Sequence, residues 1–165
     1  MPLSPRDLCD QLDRLGYAYV YHRHPPLFTV ADSQAMRGSI AGFHTKNLFL
    51  RDKKDGVFLV AVNEDAQVDL KSIHQKIGAS GRVSFGKPEL LWELLGVQPG
   101  SVTLFGAVND TAGRVAIIVD EALAAVETVN CHPLTNDATI SIAPDALFAF
   151  LRSTGHEPRV LKIAD

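Results

Sequence analysis

The chain has 165 residues, 46% apolar and 21% charged, with a formal net charge of −3. That length suits one compact domain, expected to span 1–165, which can bury about two thirds of its unfolded surface without disulfide or metal staples. The acidic balance excludes a protein that wraps duplex DNA, no apolar run approaches the ~18 residues of a membrane span, and the two cysteines, Cys9 and Cys131, make neither a disulfide framework nor a CxxC motif.

The first predicted element is a helix. Ser4 is its N-cap, Pro5 fits its first position and Asp7 sits where a capping box wants an acid. Leu8, Leu12 and Leu15 form one apolar stripe, and Gly16 ends the helix. This opening has no basic-then-apolar layout, so no secretory signal is expected, and a reducing cytoplasmic location is the simplest expectation. Residues 17–21 read as a strand, which His22-Arg23-His24-Pro25-Pro26 must leave because consecutive prolines cannot join a central ladder. Thr29, with Asp32 three residues on, caps a short helix to about Arg37.

Residues 45–51 and 57–62 predict a hairpin closed by Asp52-Lys53-Lys54-Asp55-Gly56. Asp69 caps a helix to about Ile77, residues 82–85 make a short strand, and residues 88–95 make a helix closed by Gly96. Strands are expected at 102–105 and 115–119, separated by a polar turn at 109–113, and again at 126–131 and 139–142. Pro144 starts the last helix, and Gly155 follows its end. Short strands outnumber helices and are often joined by hairpin-length loops. The predicted class is therefore α+β, a mixed, mainly antiparallel twisted sheet curled toward a barrel, with flanking helices.

The familiar catalytic signatures are missing: no GxSxG, HExxH, P-loop or GxGxxG occurs. His22 and His24 share a strand face, but no nearby Cys, Asp or third His completes a ligand set, so neither a metal nor another cofactor is expected. Cys131 lies beside His132, yet neighbours on a strand point to opposite faces, and a buried structural cysteine is the better reading. Lys46 falls on the face of Leu48 and Leu50. It stands either at a cavity mouth or as a rim lysine snorkelling to water. Gly96, Pro99 and Gly100 shape a tight loop. That loop either aims N–H groups at a carbonyl oxygen gaining charge or simply turns helix into strand. His132-Pro133-Leu134-Thr135-Asn136-Asp137 gathers an imidazole, a hydroxyl and an amide on one polar loop.

In this order, these segments resemble the YbaK-like aminoacyl-tRNA deacylases, the prolyl-tRNA synthetase-associated domain family. The resemblance is carried by His24-Pro25-Pro26 with Phe28-Thr29, Thr45-Lys46-Asn47-Leu48-Phe49-Leu50, and Val68-Asp69-Leu70-Lys71. It continues through Gly96-Val97-Gln98-Pro99-Gly100-Ser101-Val102-Thr103 to His132-Pro133-Leu134 with Asn136 and Thr139. It covers nearly the whole chain and is greatest for the stand-alone branch that clears alanine from tRNA(Pro). The likeness implies a twisted mixed sheet close to a barrel and an ester hydrolase without a covalent nucleophile.

It also implies roles. Lys46 matches the functional lysine thought to hold the terminal nucleotide, and His132 matches the pocket histidine. Gly96 and Pro99 match a G-x-x-x-P-like loop, here one residue shorter, so Gly100 is a candidate beside Gly96. Leu104 stands where relatives often have proline. Phe28, Thr29, Asn47, Asn136 and Thr139 are the implied substrate-binding residues, with Asn47 supporting Lys46. Arg51, Lys53, Lys54 and Arg82 are candidates for the acceptor-stem backbone, though as isolated charges they also read as solvated surface. The expected partners are the acceptor end of tRNA(Pro) and prolyl-tRNA synthetase, with no DNA and no membrane.

The implied logic is editing by size. A pocket for proline hardly excludes the smaller alanine, because a missing group changes binding by only ~1–3 kcal/mol. A second site too small for proline can then destroy the alanyl ester. The alternatives are the same chemistry on cysteinyl- or seryl-tRNA, or a non-catalytic module that binds tRNA or a synthetase.

Overall fold

The computed structural model describes residues 2–26, 31–32 and 40–164. Of the helix expected from Thr29 to Arg37 only residues 31–32 are described, and they are helical; the candidates Phe28 and Thr29 lie outside the described residues. Helix α1 (Pro5–Arg14) begins with the expected capping box: the Ser4 hydroxyl accepts from the Asp7 N–H, and the Asp7 carboxylate accepts from the Ser4 N–H. Strand β1 (Tyr19–Arg23) lies two residues later than predicted. The hairpin β2 (Phe43–Arg51) and β3 (Val57–Asn63) matches its prediction. Helix α2 (Ile73–Ile77), strand β4 (Ser84–Phe85) and helix α3 (Pro88–Leu95) follow. Then come β5 (Val115–Asp120), α4 (Glu121–Ala124), β6 (Val129–Cys131), β7 (Ala138–Ile142), α5 (Pro144–Ser153) and β8 (Arg159–Leu161).

One expectation fails outright. Residues 102–105 do not form a strand: Leu104–Asn109 is a 3-10 helix, capped by the Thr103 hydroxyl accepting from the Phe105 N–H. Leu104 and Phe105 are wholly buried, so the apolar run that read as a strand is a buried helical turn. Short apolar runs carry this ambiguity. The four-residue α4 and three-residue β8 were too short to show a period.

The described strands run β1-β7-β6-β2-β3-β5-β8, with β4 paired to β2. The pairs β1/β7, β6/β7, β2/β3 and β2/β4 are antiparallel; β2/β6, β3/β5 and β5/β8 are parallel. The sheet is thus mixed and mainly antiparallel, as expected. It stays open, with β1 and β8 at its ends, rather than closing into a barrel.

Both sheet faces are packed. One carries Phe43, Phe49, Leu59, Ile117, Val129 and Ile140, covered by Leu8 and Leu12 of α1, Leu94 and Leu95 of α3, the 3-10 turn, and Leu147 and Leu151 of α5. Phe105 and Phe150 meet edge to face there, 5.4 Å between ring centres. The opposite face is apolar only in its β2–β3–β5 half, where Leu48, Leu50, Val60, Val62 and Ile118 lie under Ile73 and Ile77 of α2 and Ile163. This is why β3 and β5 read as unbroken apolar runs: each is buried on both sides. Among the described residues, no helix is long and apolar enough to cross a membrane.

Candidate active site

Strand alternation makes the other half of that second face polar. On β1 it presents His22, on β7 Thr139 and Ser141, on β6 Asn130, and on β2 His44 and Lys46, as the cross-strand registers require. His132, one residue past β6, continues the same parity. The edge of β2 is also interrupted here. It pairs with β6 at Phe43 and His44 and with β4 at Leu50 and Arg51. Among the described residues no strand pairs with 45–49 on that edge, which leaves a notch beside Lys46.

Lys46 is half-buried, its stem on the face of Leu48 and Leu50, and its Nζ donates to the Ala66 carbonyl at 2.9 Å. An ammonium has three donors, so this tether fixes the charge while leaving two N–H bonds for a ligand. Asn47 points to the opposite face, in register with Ala61 of the main core. The expectation that Asn47 supports Lys46 is therefore corrected: adjacent strand residues cannot share a face. The Asn47 Oδ1 is buried with no hydrogen-bond partner among the described residues.

Carbonyl partners fix the tautomers of three histidines, because a carbonyl oxygen only accepts. His132 donates from Nδ1 to Ala138 O at 3.3 Å, which leaves Nε2 with a lone pair that can accept. Burial pushes the His132 pKa below its ordinary value, and the nearby His24 and His44 push the same way. His44 donates from Nε2 to Ile40 O at 2.8 Å. His24 donates from Nδ1 to Pro25 O, so its Nε2 accepts the Thr139 hydroxyl at 2.9 Å. The Thr139 proton is thereby committed to His24, and Thr139, buried to 5% exposure, keeps only acceptor capacity toward a substrate. Ser141 donates to Asn130 Oδ1, so its oxygen accepts from His22 Nε2 at 3.0 Å.

The sequence reading missed this His22–Ser141–Asn130 chain and the His44 contact. Their signal was parity: His44 stands two residues before Lys46, on the same face. Asn136 is half-buried on the loop after His132, where Leu134 holds a left-handed φ of 67°.

The glycine loop is assembled differently from expectation. The Gly96 N–H closes α3 on the Trp92 carbonyl, Pro99 has no N–H, and the Ser101 N–H donates to Gln98 O. Gly96 is therefore corrected as an oxyanion donor, and Val97, Gln98 and Gly100 hold the loop's remaining candidate N–H groups. Gly96 also packs against Asn109 and Pro2, on the helix-covered side of the sheet. No hydrogen bond among the described residues joins this loop to Lys46 or His132.

Cys131 is buried in the main core, its thiol pushed up to about 12 by burial. It faces away from His132, as strand parity predicts. The four cations expected to touch tRNA gather at the far end of β2. Arg51 pairs with Asp55 at 3.7 Å, and Lys53, Lys54 and Arg82 are exposed.

Known proteins resemble this chain in sequence and in fold. The profile of the aminoacyl-tRNA editing domain matches residues 24–150. Prolyl-tRNA synthetase associated domain-containing protein 1 of Danio rerio is 36% identical, covering 96% of this chain and 89% of that protein. The prolyl-tRNA editing protein ProX of Acetoanaerobium sticklandii is 29% identical, covering 93% of each. A crystal structure provisionally described as a trans-editing enzyme for prolyl tRNA synthetase superposes with TM-score 0.69 at 23% identity, over 97% of this chain and 98% of that one. The fold and these matches define an aminoacyl-tRNA hydrolase. The chain belongs to the aminoacyl-tRNA editing domain family.

Proposed function

We propose that this hydrolase is a trans-editing enzyme of the cytoplasm that removes alanine from mischarged tRNA(Pro) and spares correctly charged prolyl-tRNA(Pro) by pocket size. The observation that carries the reading is the common face of Lys46 and His132 at the β2 notch, one offering ammonium donors and the other an imidazole lone pair. Lys46 holds a phosphate or ribose oxygen of the terminal adenosine. His132 Nε2 orders a water against the ester carbonyl, and Asn136 and Thr139 line the wall. The ordered water adds through its oxygen to the carbonyl carbon, one of its protons passes to the ribose oxygen, and the bond to that oxygen breaks. Free alanine and an uncharged tRNA end are released.

An aminoacyl ester is already activated, so positioning and charge stabilisation suffice without a covalent nucleophile. Prolyl-tRNA synthetase is the proposed source of the mischarged substrate; the name of the Danio rerio relative supports this link. Asn47, with its buried Oδ1 on the opposite face, is proposed to shape the notch floor rather than to hold Lys46.

The test is deacylation of alanyl-, cysteinyl- and prolyl-tRNA(Pro) by wild type and Lys46→Ala. Loss of alanine alone, abolished by the substitution in a folded protein, supports the assignment. Preference for cysteine keeps the chemistry and changes the substrate. Near-normal turnover by folded Lys46→Ala refutes the mechanism, and binding without hydrolysis makes the protein a binding module.

A further inference from the structure

Arg51, Lys53, Lys54 and Arg82 read as scattered charges in sequence, but one buried carboxylate gathers the segments that bear them. Asp52 Oδ1 accepts the N–H groups of Lys54 and Gly56, and its Oδ2 accepts that of Ser80 at 2.9 Å. The Lys53 N–H donates to Ser80 O, and the Lys53 stem lies over Gly81. The β2–β3 turn and the 80–82 loop are thus one rigid surface. Arg51 is answered by Asp55, and Arg82 lies near enough to Asp69 to help lower its pKa. Lys53, Lys54 and Lys87 add exposed positive charge, with Glu89 the nearby carboxylate in sequence.

Within this surface stands Phe85, 59% exposed. A single exposed apolar residue is ordinary. Here, however, Phe85 pairs with Leu50 across β4 and β2, so its ring shares the sheet face of Lys46. Lys46 and Leu50 are four residues apart, about 13 Å along the strand. That matches roughly four stacked nucleotides at ~3.4 Å each. An exposed aromatic ring among cations is the arrangement by which proteins hold single strands: bases stack while charges follow the backbone.

We propose that Phe85 and the cations around it form a second nucleic-acid contact, in which the ring stacks a base of the unpaired 3′ strand of tRNA while Lys53, Lys54 and Arg82 follow its phosphates. This rests on the deacylase reading, with the terminal adenosine at Lys46. The contact is tolerant of sequence, because any base offers a face to the ring.

Binding of uncharged tRNA(Pro), measured by fluorescence anisotropy over a salt series, tests it. Phe85→Ala weakens binding by about 5- to 150-fold. Phe85→Trp restores it, Phe85→Leu does not, and the salt dependence stays as in wild type. The double variant Lys53→Ala/Lys54→Ala instead lowers the slope of log K against log salt by about 1.4–1.8. Phe85→Ala binding within two-fold of wild type overturns the proposal, as does full rescue by Leu; a surface that seats a protein would give the first of these results. Deacylation by wild type is measured alongside. If it is normal while Phe85→Ala binds like wild type, only this surface falls. If no ester is cleaved but Phe85→Ala still weakens binding, the deacylase reading falls and the surface stands.

Discussion

His24 and Thr139 meet across β1 and β7 at 2.9 Å, and the Pro25 carbonyl decides which of them donates. With Nδ1–H turned to Pro25, the His24 Nε2 can only accept, so the Thr139 hydroxyl holds a ring that lies close to His132. Thr139→Val keeps the shape and removes the donor. We expect deacylation kcat/KM to fall about ten-fold, and Thr139→Ser to retain activity. The unpaired ring nitrogen should cost about 1–3 kcal/mol. In a chain of this size each kcal/mol lowers Tm by roughly 2–4 °C. A Thr139→Val enzyme with wild-type kinetics would remove His24 from the pocket's machinery.

His132 makes both stability and rate depend on pH. Burial lowers its native pKa, so the unfolded chain binds the proton more readily. The unfolded state therefore gains protons first as pH falls below about 6.5. Its contribution to stability is complete above that value and is lost as pH falls through the native pKa. Four neighbours also act on it: the Ala138 carbonyl and Glu64 raise its pKa, and His24 and His44 lower it. Thermal unfolding between pH 8 and 5.5 should show Tm falling on the acid side, less steeply in His132→Gln. The kcat/KM of wild type should rise with pH to a plateau set by neutral His132. An unchanged Tm slope in His132→Gln would place the titration elsewhere.

The two loop glycines separate structure from chemistry. Gly96 has φ of 65°, and a Cβ there would lie 2.6 Å from both Asn109 Nδ2 and Pro2 Cβ. Gly100 has φ of 91° with nothing within 4 Å. Gly96→Ala should lose more than about 1 kcal/mol, since strain and overpacking add. Its turnover per folded molecule should stay near wild type, because its N–H already closes α3. Gly100→Ala carries strain alone and should leave kcat near wild type, because the flanking Val97 and Val102 pack on the face away from Lys46 and His132. The ratio of kcat loss to Tm loss in the two variants decides the matter. A large kcat loss in stable Gly96→Ala would restore Gly96 to the site.

Much of this was legible because it is written in local periods. The α1 capping box, the β2–β3 hairpin and the Gly96 stop of α3 each follow from spacing within a few residues. The parity that separates Cys131 from His132 is equally local. The row with Leu48 and Leu50 placed Lys46 on its sheet face but left a rim lysine equally open, its role came from the family resemblance, and its tether to Ala66 depends on a loop twenty residues on. The convergence of His22, His24, His44 and His132 depends on the strand order β1-β7-β6-β2, which joins segments more than a hundred residues apart. Residues 102–105 misled because a buried 3-10 turn and a core strand are both short apolar runs.

Cys131 supplies the test of catalysis without a covalent nucleophile. Its thiol is buried, pushed up to about 12, and in contact with the Thr45 hydroxyl at 3.8 Å. At neutral pH it is therefore a protonated core group rather than a thiolate, and a thiol is a poor nucleophile. Cys131→Ala should keep deacylation within about two-fold of wild type. It should lose on the order of 1 kcal/mol, the effect of a small cavity under β6 and β7. In the native protein at pH 8, iodoacetamide should reach the half-buried Cys9 slowly and Cys131 only after unfolding. Rapid native labelling of Cys131 with parallel loss of activity would mean that a thiolate does participate. The lysine–histidine pocket would then be only half of the catalytic apparatus.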